Sequence, residues 1–139
     1  MIGKRIYSGS PFEAMAGYAR AVVDGDMVYV SGTTGFVPET GEFPEGVVAQ
    51  CEQCFRNVGA ALGQAGANFN HMLRIRVFIA SREEFELIKP IIKRHCDAAR
   101  PANTTIICDL AEERMRVEVE VTARIPAPVP QDADGAGRA

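Results

Sequence analysis

The sequence predicts an α+β fold: a mixed sheet with two helices on one face, forming a two-layer sandwich. Three observations predict it. Arg116–Ile125 alternates strictly, with Val117, Val119, Val121, Ala123 and Ile125 on one side and Arg116, Glu118, Glu120, Thr122 and Arg124 on the other, the period of a half-buried strand. Val47–Ala65 places Val47, Val48, Cys51, Cys54, Phe55, Val58, Ala61, Leu62 and Ala65 along one helical stripe. The elements run strand, strand, strand, helix, strand, helix, strand, strand, an order in which the helices can cover only one face of the sheet.

Each element has its own signal. Lys4–Ser8 is a short first strand. Tyr18–Val23 and Met27–Ser31 are apolar runs split by Asp24-Gly25-Asp26, a hairpin turn signal. Gly32–Gly46 is rich in Gly, Thr, Pro and Glu and reads as a loop, long enough to suggest a functional or interface role. Gly66 ends the Val47–Ala65 helix. Met72–Ala80 alternates again, with Leu73, Ile75, Val77 and Ile79 against Arg74, Arg76 and Phe78. Ser81 and Glu84 form a capping box that opens a second helix, whose apolar face is Phe85, Ile88, Ile91 and Ile92. Pro90 lies inside that helix and is expected to kink or interrupt it. Asn103–Leu110 and Arg116–Ile125 complete the sheet. The domain is expected to span 1–126, and the tail 127–139, PAPVPQDADGAGRA from Pro126 on, has the composition of a disordered end.

Composition narrows the function classes. At 139 residues the chain suits one domain able to bury a normal core. A net charge of −3 with mixed signs along the chain leaves no basic stripe, so no nucleic-acid partner is expected. No long apolar run suggests a membrane span. The opening MIGKRIYSGS lacks the apolar core of a signal peptide, so the expected compartment is the cytoplasm, with the four cysteines reduced. There is no phosphate-cradling loop and no dinucleotide fingerprint, so no cofactor is expected. The polar sheet face, with Arg74, Arg76, Glu118, Glu120 and Thr122 among aliphatics, suits contact with another subunit.

Short motifs fall in one order along this frame: Gly17-Tyr18, Tyr29-Val30-Ser31-Gly32, Pro38-Glu39-Thr40-Gly41-Glu42, Pro101-Ala102 and Val117-Glu118-Val119. With that order and spacing the chain resembles the RidA/YjgF (YER057c/UK114) family over residues 5–125. The resemblance implies a chorismate-mutase-like fold closed into a homotrimer, with small-molecule clefts between subunits. It also implies hydrolysis of a reactive imine or enamine to a carbonyl compound and ammonia. A binding or chaperone-like trimer without turnover is the alternative. The family's older label is endoribonuclease L-PSP, a translation inhibitor; the acidic charge and the lack of a suitable histidine pair weigh against that activity here.

Glu118 is the candidate catalytic residue, because a carboxylate fixed on a strand can orient or deprotonate a water. The resemblance implies that role; the alternative is a cross-strand pair with Arg74 or Arg76. Glu120 shares its face and reads as structural. Tyr18 could donate its hydroxyl or close the cleft, as the resemblance implies for a neighbouring subunit's tyrosine; otherwise it is a half-buried strand aromatic. Ser31-Gly32 is a corner where a ligand can approach the backbone, or a plain turn. Asn103 stands where the family has an arginine. An arginine fork binds a carboxylate through two charge-assisted bonds, whereas Asn offers a neutral amide. Either the substrate lacks a carboxylate or another cation serves, Lys89 being the candidate beside the reading of a solvated helix lysine. Thr105 occupies a position often Cys in the family, and its hydroxyl is a poor nucleophile without a base.

Cys51-x-x-Cys54 lies on the apolar helix face, not at the strand-to-helix junction a redox pair needs, so core packing is expected. One pair with ligand spacing does not make a zinc site, and none is expected from His71, His95, Cys96 and Cys108. Adjacent His95 and Cys96 diverge on a helix and are not expected to form a dyad.

Overall fold

A computed structural model describes residues 1–128; the expected tail, from 129 on, lies outside them. Six strands form one sheet: β1 (Lys4–Ile6), β2 (Ala21–Asp24), β3 (Met27–Thr34), β4 (Met72–Ile79), β5 (Ala102–Ile107) and β6 (Val117–Arg124). Their order is β1-β2-β3-β6-β4-β5, antiparallel except for the parallel pair β4–β5. Three helices accompany it: α1 (Pro11–Ala16), α2 (Val47–Gln64) and α3 (Arg82–Cys96). The α+β class and the mixed sheet follow the sequence. The α3 crossover makes the β4–β5 pair parallel, as such a connection requires.

β6 sits at the centre because its apolar side can be buried along its whole length. Val117, Val119 and Val121 lie opposite Ile79, Val77 and Ile75 of β4, all essentially without solvent contact. Cys54, Phe55, Val58 and Leu62 of α2 join the same core, as do Ile88, Ile91 and Ile92 of α3. The predicted stripe of α2 is the buried one except at Val48, which is exposed, and Ala65, which is half-buried just past the helix end at Gln64. Gly66 takes φ +84°, the left-handed conformation that ends a helix and that glycine adopts at no steric cost.

Several expectations are corrected. The first strand ends at Ile6 rather than Ser8, because α1 must begin just beyond it. A third helix, α1, was not expected. Ser10 caps it, accepting from Phe12 N at 3.3 Å, with Pro11 in its first turn and Gly17 left-handed at its end. Its six residues are too few for a periodic signal, leaving only those caps to read. The second strand consequently starts at Ala21, and Tyr18 lies in the link after α1, not on a strand. β3 runs on to Thr34, three residues into the expected loop. In β4 a bulge between Met72 and Arg74 puts Met72 in the core and leaves Leu73 45% exposed, reversing its expected side. β5 spans 102–107 rather than 103–110. α3 continues through Pro90: the proline is exposed, and Ile88, Ile91 and Ile92 anchor the helix on both sides of it. Water can reach the carbonyl that loses its partner there.

Polar staples fix the long connections. The buried Gln50 side chain donates to the carbonyls of Pro44 at 3.1 Å and Arg114 at 2.8 Å, and accepts from Arg116 N at 2.9 Å. Asn57 donates to the carbonyls of Thr34 and Phe36. At the start of α3 Ser81 caps the helix, accepting from Glu84 N at 3.2 Å, but the expected box is half made. The Glu84 carboxylate accepts from the Ser81 hydroxyl rather than its backbone N–H, and also accepts a fork from Arg116, tying the helix to β6.

His95 is packed between aromatic rings. Its ring stacks on Phe55 at 4.3 Å and tilts against Phe69 at 4.8 Å, and its buried Nε2 has no hydrogen-bond partner. Burial, and then the Arg94 charge, hold its pKa below 6.5. The unfolded chain therefore takes up a proton near that pH while the folded chain resists it, so stability falls as pH drops through that range. His95→Phe should remove this component. Urea midpoints at pH 7.5 and 5.5 should fall further for the parent than for the variant; parallel falls would assign the acid sensitivity elsewhere.

Candidate functional site

The site is built at the end of β3, where α1, β3 and β6 meet. Between Val30 and Thr33 the register with β6 slips: Val30 faces Val121, but Thr33 faces Val119. Ser31 and Gly32 thus form a bulge, which re-aims the chain beside Glu118. A β-carbon on Gly32 would lie 1.9 Å from Glu118 Oε1, so the glycine is the space the carboxylate occupies. Among the described residues no donor is bonded to that carboxylate. Burial, foremost, raises the Glu118 pKa above 4.5; the Arg20 charge opposes this and Glu120 adds to it. The proposed pairing with Arg74 or Arg76 does not occur: Phe78 is opposite Glu118, and Arg76 pairs with Glu120 at 3.0 Å.

The residues around Glu118 form a cavity of about 560 Å3. Tyr18, Arg20, Gly32 and Glu118 line it together with apolar groups such as Phe12, Phe36 and Met115. Arg20 is the residue that sequence reasoning missed. It is 7% exposed and pairs with the equally buried Glu13 at 3.4 Å. The available signal was a lone charge inside the apolar run from Tyr18 to Val23. Ser31 turns away: its hydroxyl donates to the Ala19 carbonyl at 2.7 Å and lines an adjoining open cleft with Tyr18.

Lys89, Asn103 and Thr105 come together elsewhere, around a groove of about 290 Å3 floored by Ile75, Phe85 and Ile92. Thr105 Oγ1 lies 3.1 Å from Asn103 Oδ1, to which it donates. Lys89 pairs with Glu86 at 2.7 Å and sits over the Phe85 ring. This groove and the Glu118 cavity share no residue, and β4 lies between β5 and β6. The expected site residues therefore form two groups within one chain, with Ser31 outside both.

Cys51 and Cys54 line neither cavity, whereas Cys96 borders the Asn103 groove. Cys51 and Cys54 are fully buried, and burial pushes Cys51 up to about 12 and holds Cys54 well above the ordinary thiol value. Cys96 is raised to about 11, also by burial. Thiols held protonated are poor nucleophiles and ligands. Among the described residues no group of three or more His, Cys, Asp or Glu side chains is placed to hold a metal ion, and no helix is long and apolar enough to cross a membrane.

Mixed sheet, crossover helix and β3 corner define an α+β subunit of the YjgF kind. It superposes on a YjgF/YER057c/UK114-family structure from Mycobacterium tuberculosis with a TM-score of 0.79, at 29% identity over 88% of this chain and 98% of that one. RidA from Psychrobacter gives 0.75 at 29% identity, covering 88% and 94%. The family model described as Endoribonuclease L-PSP matches residues 8–125, and the chain belongs to that family, the RidA/YjgF/UK114 family. Its relatives include a mouse 2-iminobutanoate/2-iminopropanoate deaminase, 31% identical over 79% of this chain and 82% of the relative. Protein DfrA of Myxococcus xanthus is 32% identical over 88% and 96%. The chain spans only 60% of the chloroplastic Reactive Intermediate Deaminase A of Arabidopsis thaliana, at 28% identity.

Proposed function

We propose that this chain hydrolyses a reactive imine, or the imine tautomer of an enamine, to a carbonyl compound and ammonia. The observation that carries this reading is the Glu118 carboxylate, half-buried, unbonded and set against Gly32 in a cavity that Tyr18 also lines. Glu118 takes a proton from water as its oxygen bonds to the imine carbon, and the carbon–nitrogen π pair moves to nitrogen. Tyr18 accepts from Arg20 at 3.4 Å, which leaves its own hydrogen free to donate to that nitrogen. Glu118 then returns that proton to nitrogen, giving a neutral carbinolamine. It next takes the carbinolamine's hydroxyl proton and passes it to nitrogen as the oxygen pair forms the carbonyl, the carbon–nitrogen bond breaks and ammonia leaves. The deaminase names of relatives near 30% identity support the same reaction.

The working unit we propose is a homotrimer. Two features support self-association: the unpaired edge strand β5, with Ile106 and Ile107 exposed, and the division of the site into two groups. The Lys89–Asn103–Thr105 groove of one subunit would complete the Glu118 cavity of the next. Imines generated in situ from acidic and neutral amines by an oxidase, with semicarbazide trapping the survivors, test the activity. Faster loss with the protein than without it is expected; no loss from any imine overturns it.

Asn103 favours one second reading, a trimer that binds a small ligand without turnover, since a neutral amide replaces the fork that the resemblance implies. Asn103→Arg separates the two. On a competent scaffold it should raise hydrolysis of carboxylate-bearing imines by about tenfold or more, the worth of a charged hydrogen bond. No gain, together with a silent wild type, supports binding alone. RNA cleavage is the weaker reading: His95 is packed between aromatics, and His71 Nδ1 accepts from Asn68 N.

Gly32→Ala tests the corner. The clashing atom is the far end of a side chain, so the backbone can stay while Glu118 swings out. Unfolding should change by less than about 1 kcal/mol, as for a surface site, while kcat falls by about 10²-fold, the cost of a misplaced catalytic group. Equal kcat in variant and parent would remove Glu118 from the chemistry.

A further inference from the structure

We propose that Arg20 is a positioning residue for Glu118. Through Glu13, Tyr18, Gly32 and Thr33, its guanidinium locks the α1 end and the β3 bulge in the arrangement that turns the carboxylate and the tyrosine hydroxyl into one cavity. This inference rests on the reading of Glu118 as the base.

The guanidinium is a flat fork with five N–H donors at fixed angles, so its partners are fixed relative to one another. Arg20 Nε donates to Glu13 Oε2 at 3.4 Å. Nη1 donates to the Gly32 carbonyl at 2.8 Å and to Thr33 Oγ1 at 3.0 Å. Nη2 donates to the Tyr18 hydroxyl at 3.4 Å, and the group lies 5.5 Å from that ring's centroid. Four partners from three segments thus share one planar group. Glu13 is itself held by Ser8, whose N donates to it at 3.1 Å and whose hydroxyl also donates.

Two consequences separate this from ordinary packing. First, four of the five N–H donors are engaged within the chain. Arg20 pairs with Glu13 and holds a backbone carbonyl, so it is not a second copy of the substrate-gripping arginine whose place Asn103 takes. Second, Arg20 is the sole cation among the described residues that line the cavity. The other titratable groups facing it are Glu13 from α1, Tyr18 from the link, Glu39 from the β3–α2 loop and Glu118 itself. Cys54 of α2 and Glu120 of β6 also act on Glu118 or are acted on by it. Removing the Arg20 charge therefore acts on Glu118 in one direction, toward holding its proton.

The test reads Glu118 directly. The carboxyl 13C signal of Glu118, assigned by its loss in Glu118→Gln, is titrated in the full chain. Arg20→Gln should move the midpoint up by about one pH unit, as loss of a nearby opposite charge does. Arg20→Lys, keeping charge without the fork, should return most of that shift yet still lower kcat by about 10²-fold. Glu13→Gln should move the midpoint down, because Arg20 is then less neutralised. If Arg20→Gln does not fold, Arg20→Lys and Glu13→Gln carry the test. An unmoved Glu118 midpoint in folded variants overturns the inference even if imines are hydrolysed. A moved midpoint in a protein that hydrolyses none supports the positioning and overturns the activity instead.

Discussion

Glu118→Gln should lower kcat/KM for imine hydrolysis by about 10²–10⁴-fold, the usual contribution of a positioned acid–base group. The substitution keeps size and shape, so the loss reports the carboxylate. In the parent, activity needs the ionised form, and burial raises the pKa above 4.5. Activity should therefore fall on acidification along a limb lying above the ordinary glutamate range, and that limb should vanish in the residual activity of the variant. Stability should move the other way. A carboxyl whose folded pKa exceeds its unfolded one contributes stability at low pH that is lost as pH rises through the folded value. Glu118→Gln should thus be more stable than the parent at pH 8 and equal to it near pH 4. Denaturation midpoints across that range check the crossover; a variant less stable at pH 8 would mean that the carboxylate holds the fold together.

Phe55→Ala should cost about 3–5 kcal/mol, the usual price of emptying a large aromatic site in a core. Phe55 is 0% exposed, meets Phe69 edge-on at 5.9 Å and carries the stacked His95 ring. Neither neighbour can collapse into the void freely: Phe69 sits in a short capped turn and His95 in the last turn of α3. For a chain of this size the loss corresponds to roughly a 10–15 °C drop in Tm. Thermal scans read it directly. Activity measured well below the new Tm should be retained, since Phe55 lines neither the Glu118 cavity nor the Asn103 groove. A drop under about 1 kcal/mol would show that Phe69 and His95 close the gap.

How much of this was legible follows from the physics of each element. β6 and α2 were readable because burial along one side imposes a period that propensity cannot hide. The bulges at 31–32 and 73 were not: a bulge changes the count by one, and a pattern-reader sees only a shorter strand. α1 left its caps and no period. Glu118 and Gly32 stood in the family motif, and the structure places them against each other. Arg20 escaped because its value comes from four partners brought together from distant segments. The separation of Asn103, Thr105 and Lys89 from Glu118 could not be read either, since sequence order says nothing of which cavity a strand's side chain enters.

The pair of thiols inside α2 also has a use of its own. Cys51 and Cys54 are shut away from solvent, whereas Cys96 and Cys108 are partly open. A thiol-reactive dye added to the native protein should mark Cys108 first and the half-buried Cys96 after it, and the closed pair only when the helix lifts from the sheet. The slow phase is then a clock built into the chain, timing rare excursions of the core that no steady-state spectrum would register.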